Sequence, residues 1–205
     1  MLKVGLTGGY ATGKSFVAHE LQRLGCHVIY ADELGHKVLL PGGEAYEPVI
    51  AEFGPAVLDS EGRINRKKLA ALVFEDTARL ANLTGIVHPA VFRVEEKLLS
   101  EIAAVDPRGI AVLEAAILIE AKRSHTFDRI ILTTCDEEVQ IARGMKRDNA
   151  TRDQVLARLA NQMPLSEKEK YADYVVDTSG TKSETIRQVE EIHRDLLRFA
   201  EAMVQ

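Results

Sequence analysis

Short apolar stretches alternate with amphipathic stretches along most of the chain. Five runs rich in apolar and β-branched residues predict buried strands, and they cover residues 3–7, 27–30, 110–113, 129–133 and 174–177. Between these runs, apolar residues recur at spacings of three and four, which is typical of helices that bury one face. The alternation predicts an α/β fold with a five-stranded, mostly parallel sheet covered by helices on both faces.

The segment between the second and third predicted strands contains no convincing strand pattern. Its helical patterns include one with Asn65 as the expected N-cap and one that Asp76 is expected to cap. A longer helix is predicted to begin near His88, with Pro89 in its first turn, where proline is tolerated. We therefore predict a single domain with an inserted helical lobe, divided into a core of about 1–32, 108–146 and 171–205 and a lobe of about 33–107.

A charged stretch, Met145–Lys170, separates the last two predicted strands. It begins with little apolar periodicity, and Ser166 and Glu169 have the spacing of a capping box. Such a segment suits a mobile lid over about 147–170, while the same composition is also typical of a solvated helical hairpin. A final amphipathic helix is predicted over about 183–203.

Charge and cysteine content narrow the expected partners and setting. The 205 residues carry a formal charge of −5, which disfavours a broad surface for nucleic acid or an anionic membrane. We find no signal-peptide pattern and no apolar run as long as a membrane span. Cys26 and Cys135 lack metal-ligand spacing and are expected to be small buried residues. We expect a cytoplasmic protein that requires no nucleic acid, membrane or obligate protein partner.

The segment Gly8–Ser15 reads GGYATGKS and joins the first predicted strand to a predicted helix. It fits the spacing Gly-x-x-x-x-Gly-Lys-Ser, in which glycines let backbone N–H groups curl around a phosphate at the positive end of a helix dipole. Lys14 would then reach the β- and γ-phosphates, and the Ser15 hydroxyl would ligate Mg²⁺. We call Gly8–Ser15 the phosphate loop, and it predicts binding of a nucleoside triphosphate.

Two carboxylates follow predicted strands, at the sheet edge where ligands bind. Asp32 follows the second strand, where it would accept a proton from a hydroxyl and would repel a phosphate acceptor. This favours a kinase that phosphorylates an alcohol, although Asp32 also suits the N-cap of a helix over residues 33–40. Glu114 ends the third strand, where it would hold a magnesium-bound water or simply face solvent.

Arginines near the predicted lid supply positive charge. Arg143 and Arg147 lie four residues apart on one predicted helix face, and Arg152 follows shortly after. Because a transferring phosphoryl group spreads negative charge over three oxygens, these arginines would close over the phosphates.

Seven segments together resemble the dephospho-coenzyme A kinase family. In chain order they read VGLTGGYATGKS, VIYADELGHKVL, GRINRKKLAALVF, HPAVF, VLEAAILIE, RGMKRDNATRDQVLARLANQ and ADYVVDTSG. The resemblance implies a P-loop kinase core with a helical substrate lobe and a lid. It also implies transfer of the γ-phosphate of ATP, with Mg²⁺, to the ribose 3′-hydroxyl of dephospho-CoA, which is the last step of coenzyme A synthesis.

The resemblance also implies roles for individual residues. Asp32 would be the general base, Lys14 would hold the β- and γ-phosphates, and Arg143 and Arg147 would stabilise the transferring charge. ATP would contact Gly9, Tyr10, Ala11, Thr12, Gly13, Lys14, Ser15, Phe16 and, at its adenine end, Thr178, Ser179 and Gly180. Dephospho-CoA would contact Thr7, Asp32, Arg66 and His88, and Mg²⁺ would be served by Ser15 and Glu114.

The chain departs from the family pattern inside the phosphate loop. Tyr10 stands where isoleucine is common, Ala11 where glycine is common, and Phe16 where threonine is common. Two alternatives to this function are a small-molecule hydroxyl kinase of the shikimate or gluconate kind and a nucleotide-dependent switch protein. The long helical lobe argues against the first, and the missing guanine-reading sequence Asn-Lys-x-Asp argues against the second.

Overall fold

The computed structural model describes residues 1–74 and 76–203. Its strands are β1 (Leu2–Gly8), β2 (His27–Tyr30), β3 (Ile110–Glu114), β4 (Arg129–Thr134) and β5 (Tyr174–Asp177). Its α-helices are α1 (Lys14–Arg23), α2 (Ala31–Lys37), α3 (Tyr46–Phe53), α4 (Arg66–Val73), α5 (Thr77–Val105), α6 (Glu137–Asp148), α7 (Arg152–Ala160), α8 (Leu165–Lys168) and α9 (Lys182–Ala202). Short 3₁₀ turns cover Pro55–Val57, Ser124–Thr126 and Glu169–Tyr171.

The strands form one five-stranded parallel sheet in the order β2-β3-β1-β4-β5, which confirms the predicted fold class. Strand β1 lies at the centre, paired with β3 through Leu6 and Glu114 and with β4 through Leu6 and Ile131. Every residue of β3 is buried, and only Lys3 is exposed in β1. Continuous apolar strands are typical of a parallel sheet covered on both faces. The five predicted strands are therefore confirmed, with ends that differ by at most one residue.

Contacts divide the chain into two compact units. The first contains Met1–Ile29 and Ile102–Gln205, and the second contains Tyr30–Glu101. In the first unit, α1 and α9 pack on each other and on the sheet. The buried side chains of Val17, Leu21 and Leu196 form part of that core.

The second unit has its own small core and polar contacts. Buried Val49, Val57 and Leu69 come from three successive elements. The Asn65 side chain accepts hydrogen bonds from the N–H groups of Lys67 and Lys68, which confirms it as the N-cap of α4. Short helices have marginal stability in isolation, so those of this unit are stabilised by packing their apolar faces together.

Helix α5 differs from the prediction because it starts at Thr77 rather than near His88. Asp76 caps it as expected, since its Oδ1 accepts from the N–H groups of Ala78 and Arg79 at 3.0 Å each. Pro89 therefore lies in the helix interior, where it cannot donate to the carbonyl of Gly85. Pro89 has the sequence pattern of a first-turn proline, but the cap at Asp76 sets the start of the helix.

The predicted capping box at Ser166 and Glu169 is wrong. Ser166 lies inside α8, which has Pro164 at its N-cap position. Capping boxes occur instead at Thr151 with Gln154, where α7 starts, and at Thr181 with Glu184, where α9 starts. Each satisfies two backbone N–H groups reciprocally.

Candidate active site

The phosphate loop has the backbone of an anion-binding nest. Ala11 has φ 58° and Gly13 has φ 81°, so both lie in the left-handed region. Gly13 occupies the N-cap of α1 and offers no side-chain cap, while its carbonyl accepts from the Phe16 N–H at 3.0 Å. Successive N–H groups around left-handed residues bind anions. Ala11 thus adopts the left-handed backbone that such a loop requires, and phosphate binding at the loop stays a prediction.

Hydrogen bonds from buried threonine hydroxyl groups hold the phosphate loop in place. The Thr12 hydroxyl lies 2.8 Å from that of Thr133 and donates to the Gly9 carbonyl at 2.9 Å. The Thr178 hydroxyl donates to the Thr12 carbonyl at 2.9 Å. A Cβ at Gly8 would lie 2.1 Å from the Thr133 hydroxyl, so only glycine fits there. Thr12 is fully buried and fixes the loop from its inner side, so a direct contact between Thr12 and ATP stays a prediction.

Lys14 and Glu114, two predicted site residues, are neighbours. Lys14 Nζ lies 3.9 Å from Glu114 Oε1, and both side chains are largely buried. Glu114 occupies the last position of β3, directly beside Leu6 of β1. Ser15 follows Lys14 in the first turn of α1 and is exposed. The loop thus presents an ammonium and a hydroxyl on successive residues, and β3 brings a carboxylate to the ammonium.

Arg143 lies at the loop that follows β5. Its guanidinium donates to the Thr178 hydroxyl at 2.8 Å and to the Thr178 carbonyl at 2.6 Å. Ser179 accepts from the Asp136 N–H at 2.8 Å, which ties the same loop to the start of α6. Arg143, predicted at the transferring phosphate, is therefore placed beside Thr178–Gly180, the segment predicted for adenine.

Arg147 and two residues that the sequence analysis left out meet at Tyr10. The Tyr10 hydroxyl donates to Asp148 Oδ2 at 2.5 Å and accepts from Arg158 at 3.0 Å. The Arg147 guanidinium lies over the Tyr10 ring, 4.5 Å from its centroid. Arg152 instead pairs with Glu138 at 2.6 Å on an exposed helix face. Only an unusual tyrosine in the loop could have signalled this cluster.

Lys168 of α8 is the second feature that sequence reasoning missed. It is fully buried, and its ammonium lies 2.7 Å from Glu120 Oε1 and donates to the Ala116 carbonyl at 3.2 Å. The Gly8 carbonyl, which opens the phosphate loop, accepts from it at 3.5 Å. A buried cation needs such partners. The C-terminal end of the predicted lid is therefore anchored to the phosphate loop.

Thr7 has no exposed surface, and its hydroxyl donates to the Ala116 carbonyl at 3.3 Å. A direct contact between Thr7 and substrate stays a prediction.

Three predicted substrate residues belong to the second unit. Asp32 is exposed in the first turn of α2, whose N-cap is Tyr30, so the alternative N-cap role for Asp32 is wrong. Arg66 is the exposed first residue of α4. His88 is half-buried, with its ring centroid 5.8 Å from that of Phe92.

Metal-ligand clusters and membrane-spanning helices were sought in residues 1–74 and 76–203. Within these residues, no three or more His, Cys, Asp or Glu side chains group as metal ligands. None of the helices described there is long and apolar enough to cross a membrane. Burial raises the pKa of the Cys26 thiol to about 12, as expected for an inert packed cysteine.

Comparison with known proteins identifies the family of the chain. The dephospho-CoA kinase family model matches residues 2–184. The chain is 40% identical over 190 residues to dephospho-CoA kinase of Geobacillus kaustophilus, covering 92% of this chain and 93% of that protein. It is 39% identical over 198 residues to that of Aquifex aeolicus, covering 97% and 99%. The crystal structure of TT1252 from Thermus thermophilus has a TM-score of 0.82 at 31% identity, covering 95% of this chain and 96% of that one. The chain therefore belongs to the dephospho-CoA kinase family, whose reaction completes coenzyme A biosynthesis.

Proposed function

We propose that this enzyme binds ATP on the phosphate loop and transfers the γ-phosphoryl group to the ribose 3′-hydroxyl of dephospho-CoA. The observation that carries the proposal is the left-handed backbone at Ala11 and Gly13, which leads into the uncapped N-terminus of α1. Lys14 extends from this turn beside Glu114. A triphosphate would bind backbone N–H groups of the loop and the ammonium.

The base end of ATP is assigned to the loop that follows β5. Thr178 connects that loop to the phosphate loop through its hydrogen bond to Thr12. Phe16 faces the same end of the sheet, with the Lys182 ammonium 5.5 Å from its ring centroid. Since Arg143 is bound to Thr178, we assign Arg143 to the nucleotide rather than to the transferring group.

Mg²⁺ fits the donors that the loop offers. Magnesium prefers oxygen ligands, keeps several waters and needs only one or two protein groups beside the phosphates. The exposed Ser15 hydroxyl would ligate it, and the Glu114 carboxylate would hold one of its waters. The ion would neutralise the charge of the phosphates.

We propose that Asp32 is the general base for the acceptor hydroxyl. Asp32 follows β2, a strand of the parallel sheet to which β1 belongs, and ligands bind where such strands end. Asp32 would take the proton of the 3′-hydroxyl as its oxygen bonds to the γ-phosphorus and the bond to ADP breaks. Arg66 and His88 would hold the remainder of dephospho-CoA.

The cytosol remains the proposed location. Both cysteines are free thiols, and free thiols fit a reducing compartment.

The test measures ADP release and CoA formation with Mg-ATP and dephospho-CoA, with shikimate and gluconate as control acceptors. We expect ADP release to depend on dephospho-CoA alone and to equal CoA formed. Lys14→Ala is expected to lower kcat/KM by at least about a hundredfold, because it removes charge stabilisation from the transition state. An unchanged kcat/KM in that variant would contradict the assignment of the phosphate loop.

A further inference from the structure

Tyr10 joins the phosphate loop to helices α6 and α7 through its backbone as well as its side chain. Its N–H donates to Gln162 Oε1 at 2.7 Å, and its carbonyl accepts from Gln140 Nε2 at 2.5 Å. Gln140 lies near the start of α6, and Gln162 follows the end of α7. They fix the direction in which the Tyr10 ring leaves the loop.

Asp148 lies at the end of that ring and accepts from three side chains. Its partners are the Tyr10 hydroxyl, the Nε of Arg147 at 2.8 Å and a terminal nitrogen of Arg158. The two guanidinium carbons lie 4.5 Å and 5.5 Å from the Tyr10 ring centroid. One carboxylate and one aromatic ring therefore hold two guanidinium groups at the third residue of the phosphate loop.

The cluster of Tyr10, Arg147, Asp148 and Arg158 carries more positive charge than a neutral ion pair. Two guanidinium groups share one carboxylate, which leaves one net positive charge. Each guanidinium has five N–H donors, and both arginines keep donors that Asp148 and Tyr10 do not engage. Their side chains are about half exposed, at 57% for Arg147 and 49% for Arg158. An anion can therefore reach both.

We propose that Arg158 is a second phosphate-binding arginine beside Arg147, and that Asp148 and Tyr10 are positioning residues that hold both at the phosphate loop. This rests on the proposed binding of ATP at that loop. Two unpaired guanidinium groups would repel each other and would have to be ordered during each turnover. A shared carboxylate removes that reorganisation, which is the way fixed charges lower a reaction barrier.

The cluster could alternatively serve only to fasten α7 to the loop. A fastening role predicts loss of stability and of ATP affinity, with kcat recovered at saturating substrate. A positioning role predicts the reverse, because the arginines act on charge that develops in the transition state.

The experiment compares Arg158→Gln, Asp148→Asn and the double variant by kcat, KM for both substrates and Tm. The matched controls are Arg198→Gln and Asp195→Asn, an exposed pair on α9 with an N–O distance of 3.3 Å. We expect Arg158→Gln to lower kcat about tenfold and Asp148→Asn about fivefold, with KM for ATP changed less than about threefold. The double variant should resemble Arg158→Gln alone, because residues that act as a unit are not additive. The controls should match the wild type.

Three results would overturn the proposal. They are a kcat within about twofold of wild type in Arg158→Gln, losses that multiply in the double variant, or a fall in Tm with kcat intact. If Asp148→Asn does not fold, Tyr10→Phe takes its place, since it keeps the ring and removes only the hydroxyl, and we expect a loss in kcat of about threefold.

Lys14→Ala in the same assay separates the proposal for ATP binding from the proposal for the arginines. If Lys14→Ala keeps its activity, the proposed ATP site is wrong. If Lys14→Ala loses activity while Arg158→Gln has a normal kcat, only the proposal for Arg147 and Arg158 is wrong.

Discussion

Asp32 is the residue on which the proposed chemistry depends most. Its carboxylate is exposed in the first turn of α2 and does not cap the helix, so its removal should not unfold the chain. We expect Asp32→Asn to lower kcat by about a hundredfold or more, since general-base catalysis contributes about 10²–10⁴-fold. ATP binding should stay within about twofold, because the amide keeps the shape of the carboxylate and only its basicity is lost.

The matched control is Glu33→Gln, a neighbouring exposed carboxylate in the same helical turn. Its kcat should equal that of the wild type. A near-normal kcat in Asp32→Asn, measured by single-turnover CoA formation, would remove Asp32 from the role of base.

Single residues also show what sequence reasoning can reach. The motif spacing placed Lys14 in the phosphate loop and the strand pattern placed Glu114 at the end of a strand, and the structure brings the two to 3.9 Å. The unusual Ala11 marks a position with φ 58°, a conformation that costs a residue with a Cβ about 1–2 kcal/mol. The contacts of Tyr10 with Asp148 and Arg158 were out of reach, because these residues lie more than a hundred positions away in the chain.

Among the elements, α8 connects the predicted lid to the core through Lys168. Lys168→Met removes a buried ammonium, leaves Glu120 without its cation and takes one donor from each of two carbonyl groups. Because breaking a buried pair costs about 3–5 kcal/mol, we expect a fall in Tm of several degrees. Hydrogen exchange in residues 162–170 should accelerate as α8 detaches.

Lys170→Met is the control, since Lys170 forms an exposed pair with Glu167 at 2.7 Å two residues further on. Exposed pairs of this kind contribute about 0–1 kcal/mol, so its Tm should hardly change. Equal Tm values for the two variants would show that Lys168 does not stabilise the attachment of α8 to the core.

The ends of helices could be predicted from the sequence where hydrogen bonds between neighbouring residues determine them. The Asn65 and Asp76 caps are confirmed because an N-cap depends on the next three residues alone. The start of α5 was misplaced because Pro89 mimics a first-turn proline, and the fold tolerates it inside the helix. The role of α8 could not be predicted, since a short charged sequence gives no sign that Lys168 is buried.

Over the whole molecule, acid stability should depend on carboxylates that are ion-paired or hydrogen-bonded in the folded state. Arginine partners hold the pKa of Asp148 and Glu138 below the usual range, and backbone and side-chain hydrogen bonds from Thr181 do the same for Glu184. A carboxylate with a lowered pKa stabilises the fold above the pKa it has when unfolded, and this stabilisation is lost as pH falls towards the folded pKa. We therefore expect Tm to be steady between about pH 7 and 5 and to fall below about pH 4.

Glu184→Gln tests this at the capping box of α9, where the carboxylate accepts from Thr181. The variant should have a lower Tm than the wild type at pH 7, because a neutral acceptor forms weaker hydrogen bonds. The gap should narrow towards pH 3, where protonation gives wild-type Glu184 a neutral carboxyl as well. A gap that stays constant from pH 7 to pH 3 would show that titration of this carboxylate does not contribute to acid unfolding, and the fall in Tm at low pH would then come from other carboxylates with a lowered pKa.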